Sequence, residues 1–159
     1  MNPAWGVMRH RDREMFREEI EAFVKSQQIA HVANFDPDGW PYVMPLVYIY
    51  EEGVFYLHTG AHKGQFLRNV RADSRICLEI SAIGPLPPGK PSACNSTAVY
   101  TSVIAFGRLE IYQNREQKRR FLDRLLEKHA PDATFEPGYP AIGCILLYSF
   151  RPEILTGKR

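Results

Sequence analysis

Three things are scarce in this chain, and each scarcity closes off a class of protein. Cysteine is the first. Only Cys77, Cys94 and Cys144 occur in 159 residues, far apart and with no C-x-x-C. An odd, scattered set builds no disulfide framework and has no zinc-site spacing, and it fits a reduced, cytoplasmic protein. Long apolar runs are the second. The most apolar stretch, Ala141 to Phe150, falls well short of the roughly 18 residues that span a bilayer. The opening MNPAWGVMRHRDRE is not followed by an apolar segment of the kind a secretory signal carries, so no membrane partner is expected. Charge of one sign is the third. Twenty Lys+Arg against 18 Asp+Glu leave a formal net charge of +2, which supports neither a nucleic-acid-coating protein nor an acidic tail. The basic cluster RHRDR (9–13) is balanced by Glu14, Glu18 and Glu19 and reads as a solvated arm. There is also no internal repeat, no G-x-S-x-G, no Walker loop and no G-x-G-x-x-G after a strand.

The chain does have apolar residues at 45% and aromatics at 12%. That is enough core for one domain over 1–159, with a terminal arm at 1–11. Residues 12–27 repeat Met15, Phe16, Ile20, Phe23 and Val24 at helical spacing, with Asp12 as the expected N-cap. IAHVANF (29–35) alternates. Its His31 reads as a satisfied core or interface histidine. DPDG (36–39) is a turn, because Pro sets φ and Gly permits a positive φ. PYVMPLVYIY (41–50) is the return strand, EEG a second turn and VFYLHTG (54–60) a third strand. HKGQFLRNVRAD (62–73) has the apolar spacing of a short helix, and RICLEIS (75–81) that of a strand. The Pro-rich 84–96 segment must be a loop. TAVYTSVIAFGRLEIY (97–112) is a long strand bent at Gly107. Residues 114–131 form an amphipathic helix capped by Asn114, with Phe121, Leu122, Leu125 and Leu126 inside. AIGCILLYSFRPEIL (141–155) is a last strand. Six strands linked largely by hairpins predict a mostly β fold with flanking helices, a small antiparallel barrel.

The segment most suggestive of chemistry is Tyr56 to Gln65. A strand ends at a glycine corner and a helix begins, so backbone N–H groups are left without partners and attract an anion. Lys63 adds a charge there, and Thr59, His62 and Gln65 add donors. A phosphate suits such a corner. So does nothing at all, because ordinary loops share this composition. His58 and His62 have H-x3-H spacing, but Gly60 interrupts any helix between them and no acidic ligand is near, so no metal is expected. No local group lowers the pKa of a cysteine, and Cys77, in an apolar strand, reads as a small hydrophobe.

Two runs carry a family resemblance. DGWPYVMPLVYIYEEGVFYLHTGAHKGQFLRNVRADSRICLEI (38–80) resembles the flavin-binding half of the pyridoxamine 5′-phosphate oxidase-like split barrels. ACNSTAVYTSVIAFGRLEIYQNREQKRRFLDRLLEKHAP (93–131) is similar to the Tyr-x-Ser-Val-x-x-x-Gly-Arg strand and helix of the nitroimidazole-resistance (Nim-type) branch. MRHRDREM (8–15) and ILTGKR (154–159) also look like the ends of that branch. The resemblance implies a six-stranded split barrel that binds FMN at a homodimer interface. It places the phosphate against His58, Thr59, Gly60, His62, Lys63 and Gln65. It lays the ring along Val43, Met44, Pro45, Leu46 and Val47, and makes Tyr100 and Ser102 candidates for lining the site. Gln65 and Phe66 stand where many relatives carry a basic pair, which leaves the clamp to Lys63 and backbone donors. The arginine and histidine set used by the true oxidases near the C-terminus is not found. The implied function is therefore a flavin-dependent oxidoreductase of a small molecule, pyridoxamine-phosphate-oxidase-like or nitroreductase-like. The alternative is a non-catalytic flavin or haem binding protein, with His58 or His62 as an axial ligand.

Overall fold

The structure is a computed structural model that describes residues 7–61 and 64–159. Its elements are α1 (Arg17–Ser26), β1 (Ile29–Phe35), β2 (Pro41–Glu51), β3 (Val54–Gly60), α2 (Gln65–Ala72), β4 (Arg75–Ile83), β5 (Tyr100–Tyr112), α3 (Arg115–His129) and β6 (Ile145–Lys158). Every strand pairing is antiparallel, and the strands close in the order β1-β2-β3-β6-β5-β4. The expected mostly β, six-stranded antiparallel barrel with flanking helices is what forms.

Alternation explains the closure. On β1, Ala30, Val32 and Asn34 turn inward while Ile29, His31, Ala33 and Phe35 turn out. Phe55 and Leu57 of β3, Tyr148 and Phe150 of β6, Leu78 and Ile80 of β4 and Val103 of β5 fill the interior and are almost fully buried. Each such large side chain contributes roughly 1.5–3 kcal/mol through removal from water. Phe66, Leu67 and Val70 of α2 join this core, and so do Ile20 and Val24 of α1. β5 bends where expected. Its pairing with β6 shifts register between Phe106 and Gly107, and a Cβ at Gly107 would lie 2.9 Å from Phe150 Cε2 and 3.1 Å from the Arg151 carbonyl oxygen.

Several boundaries differ from the sequence expectation. α1 starts at Arg17, not Asp12, because Arg11–Arg13 form a 3-10 turn. The Met15 N–H then donates to the Gly157 carbonyl at 2.9 Å, which ties the chain to β6. The Glu19 carboxylate, rather than Asp12, accepts the first free N–H, that of Phe16, at 2.8 Å. Phe16 itself is 74% exposed. α2 starts at Gln65, and β5 starts at Tyr100 because Val99 pairs with Pro85 across the loop base. Residues Ile142–Cys144 form a 3-10 turn, so β6 runs later, from Ile145 to Lys158. On α3 only Phe121 among the expected apolar positions is fully buried. The helix lies on the outside of the barrel, where its Phe121, Leu122 and Leu125 form a small cluster with Ile49, Tyr56, Tyr112 and Leu147, and its Lys128 lies over the Tyr48 ring. His31 is not in the core. It is half-exposed on the outer face, its Nδ1 3.0 Å from Glu79 Oε2. Among the described residues no helix is long and apolar enough to cross a membrane.

Candidate functional site

The barrel is split on one side. β2 pairs with β3 only over Tyr48–Glu51 against Val54–Leu57. Beyond Tyr48, β2 runs on beside β1 alone, Pro45 opposite His31. Beyond Leu57, β3 runs on beside β6 alone, Gly60 opposite Ile145. The two strands therefore part over the residues singled out by sequence, Val43–Val47 on one side and His58–Gly60 on the other. Pro45 lacks an N–H, so a strand that stops pairing on one edge suits it. Along β2 the side chains divide. Met44 and Leu46 point to the core, while Val43, Pro45 and Val47 face outward, Val43 with 57% exposure.

α2 begins beside this split. Its N-cap is Gly64, which has no side-chain cap, so the first-turn N–H groups lack a side-chain acceptor. Gln65 opens the helix and is exposed. Ala61 is anchored by its N–H to the Cys144 carbonyl at 2.7 Å. Thr59 Oγ1 lies 2.9 Å from the Tyr148 hydroxyl, so its oxygen is engaged inward. His62 and Lys63 lie outside the described residues. The open edge of β2 and the uncapped start of α2 together fit an elongated ligand with a flat body and an anionic end.

His58 is placed differently from its neighbours. It faces the outer layer under α3, its ring 5.3 Å from that of Phe121. Nδ1 is buried and has no partner. Burial holds its pKa below the ordinary histidine value. An axial role toward a haem would require Phe121 and α3 to move off it.

Tyr100 and Ser102 are not brought to the split within one chain. They lie on β5, which β4 and β1 separate from β2. On the outer face, register aligns Val43, Ala33, Cys77, Phe106 and Ile154 in one uncharged row across β2, β1, β4, β5 and β6. The next row is Pro45, His31, Glu79, Ile104 and Thr156. Residue-level reading missed the His31–Glu79 pair. It depends on β1 meeting β4, 48 positions apart, and nothing in the sequence signals that meeting.

An antiparallel six-stranded barrel parted between β2 and β3, with a helix starting at the gap, defines a split-barrel protein. The model of the pyridoxamine 5′-phosphate oxidase family matches residues 16–159, and the chain belongs to that family. Solved structures share the fold. A candidate 5-nitroimidazole antibiotic resistance protein from Bacteroides thetaiotaomicron is 23% identical, with a TM-score of 0.78 over 91% of this chain and 85% of its own. The flavocytochrome Anf3 from Azotobacter vinelandii is 22% identical, with a TM-score of 0.84 over 96% and 71%. An FAD and heme binding protein from Mycobacterium smegmatis is 19% identical, with a TM-score of 0.81 over 92% and 72%. No curated protein matches in sequence.

Proposed function

We propose that this chain is an FMN-binding flavoprotein and an oxidoreductase of a small molecule, working as a homodimer with the flavin at the subunit interface. The observation that carries the reading is the split itself. One backbone edge of Val43–Val47 is free of its barrel neighbour, and it lies beside a helix start with no side-chain cap. Two of the structural neighbours are named for flavin or flavocytochrome content, which supports the same class. Bound FMN supplies electron and hydride transfer. The protein residues do the positioning. Backbone groups of β2 line the ring, and the N–H groups opening α2 meet the phosphate, with Lys63 assigned to it on sequence grounds. Val43, Pro45 and Val47 give an apolar wall that excludes water from one side. No acid or base in the split is needed to activate a nucleophile.

The second subunit enters through the outer face. The uncharged row from Val43 to Ile154, with Phe35 59% exposed beside it, is the kind of apolar surface a second copy covers. Tyr100 and Ser102 reach a flavin only from that copy, since in their own chain β4 and β1 intervene. The three thiols are free, which fits a cytoplasmic setting. The absorption spectrum of the purified protein after incubation with FMN tests the reading. Retention of an oxidised-flavin band through gel filtration supports it. A Soret band with no flavin uptake supports the haem alternative, and a colourless protein that takes up neither removes both.

A further inference from the structure

The last turns of α1 and α3 meet the end of β2 around an open cavity of about 270 Å³, whose lining includes Lys25, Glu51, Arg124, Glu127 and Lys128. Lys128 is half-buried. Its Nζ lies 4.0 Å from the centre of the Tyr48 ring and donates to the Tyr48 carbonyl at 3.3 Å. That ring is fully buried and its hydroxyl donates to the Val24 carbonyl at 2.6 Å, so the platform under the amine is fixed. His129 Nε2 lies 3.4 Å from the same Tyr48 carbonyl. Both carboxylates of the lining are engaged elsewhere, for Glu51 and Glu127 hold Arg124 at 3.3 Å and 2.8 Å. Among the described residues Lys128 has no carboxylate within ion-pair distance, and Lys25 and Arg124 set like charges in the same lining. The Tyr48 ring face and the carbonyls ending α3 favour the ammonium form. Burial opposes them and prevails, bringing the Lys128 pKa from 10.5 down to about 8. A sizeable share of this side chain is therefore a neutral amine near neutral pH, where an ordinary lysine is almost wholly protonated.

We propose that Lys128 is an acyl-acceptor site for a small acyl phosphate. The lone pair of Nζ attacks the acyl carbonyl carbon and a C–N bond forms. The C–O bond to the phosphate breaks, the phosphate leaves with the electron pair, and the proton lost from nitrogen goes to water. No oxidant or reductant enters the step. Lys25, exposed and without an ion-pair partner among the described residues, draws the phosphate to the lining. The cavity volume admits a short acyl chain and no large one. The amide product keeps an N–H for the Tyr48 carbonyl and removes an unpaired charge from a half-buried place, so the site favours the modified state. None of the residues assigned to the flavin ring or phosphate lines this cavity, and the inference stands apart from the flavin reading.

The test is acetylation of the full chain by acetyl phosphate between pH 6.5 and 9.5, read lysine by lysine from peptide masses. At pH 7.5 Lys128 should react about tenfold faster than Lys25 or Lys90, because far more of it is unprotonated. Its rate should level off above about pH 8, whereas that of an ordinary lysine climbs on toward a pKa near 10.4. Lys128→Arg should remove the fast-reacting fraction and leave the other lysines at their former rates. Lys25→Ala should slow acetylation of Lys128 by acetyl phosphate severalfold, yet leave its reaction with an uncharged acetyl thioester, S-acetyl-N-acetylcysteamine, as it was. Acetylation spread evenly over Lys25, Lys90 and Lys128, or a Lys128 rate that still climbs above pH 9, would overturn the site. So would a Lys128 rate with acetyl phosphate that Lys25→Ala leaves unchanged, or that falls equally with both reagents, since the lining would then hold no phosphate.

Discussion

A part-buried histidine and a buried asparagine pair test the fold at the scale of single residues. His58 keeps a neutral ring against Phe121 with Nδ1 unpartnered, and burial lowers its pKa. The unfolded chain therefore takes up a proton first as pH falls below the ordinary histidine value near 6.5. Stability rises with pH wherever the unfolded state binds more protons. The His58 contribution is thus in place above about pH 7 and is lost as pH falls through 6.5 toward the lowered native value. His58→Phe keeps a ring on Phe121 and removes the titration. Denaturation midpoints from pH 7.5 to 5 should fall less steeply in the variant, and equal slopes would show that His58 is not the group responsible. Asn34 and Asn69 are the second case. They are 3% and 0% exposed, joined by an Asn69 Nδ2–H donated to Asn34 Oδ1 at 3.0 Å. Asn69→Ala leaves the Asn34 amide with no partner inside the barrel, so a loss of about 1–3 kcal/mol is expected in urea unfolding. The alternation of 29–35 was legible in the sequence, but the partner of Asn34 was not, because it lies 35 positions on, beyond β2 and β3.

At the scale of elements, short-range chemistry was legible and long-range contact was not. Asn114 was readable as a cap, and its Oδ1 accepts the N–H groups of Glu116 at 2.9 Å and Gln117 at 3.1 Å. Asn114→Ala should cost about 1 kcal/mol, seen as faster amide exchange in the first turn of α3 with the barrel amides unchanged. The bend at Gly107 was readable from a glycine inside a strand pattern. The start of α1 was not, because a tertiary bond from Met15 to Gly157 extends the chain before the helix begins. The shallow docking of α3 was equally hidden. Its apolar stripe looks like that of a core helix, but the barrel interior is already filled by strand side chains and α2. The split between β2 and β3 was only half visible. A proline inside a strand pattern, as at Pro45, marks an edge, a bulge or an interrupted ladder without choosing among them, whereas the extent of the gap follows from β6 taking over the pairing of β3.

At the scale of the whole molecule, alternation and turn chemistry were enough to give a mostly β barrel of six strands, and family resemblance gave its kind. Neither places a second subunit. The outer face supports the proposed second subunit through its uncharged row and its exposed Phe35 and Val43. A charge set into the row should break the proposed dimer without unfolding the barrel. Ala33→Glu is expected to shift sedimentation from about twice 18.3 kDa to the single-chain mass, with circular dichroism unchanged. A dimer that tolerates the charge would move the interface elsewhere.

In the proposed function the β2–β3 split and the start of α2 hold a flavin by its ring and its phosphate. Titration of flavin-free protein with FMN and with riboflavin, each followed by quenching of flavin fluorescence, tests it most directly. Saturable binding of FMN with clearly weaker binding of riboflavin is the predicted result, since the N–H groups at Gly64 and Gln65 act on the phosphate that riboflavin lacks. A folded protein that quenches neither flavin, or that binds both equally, would contradict the account.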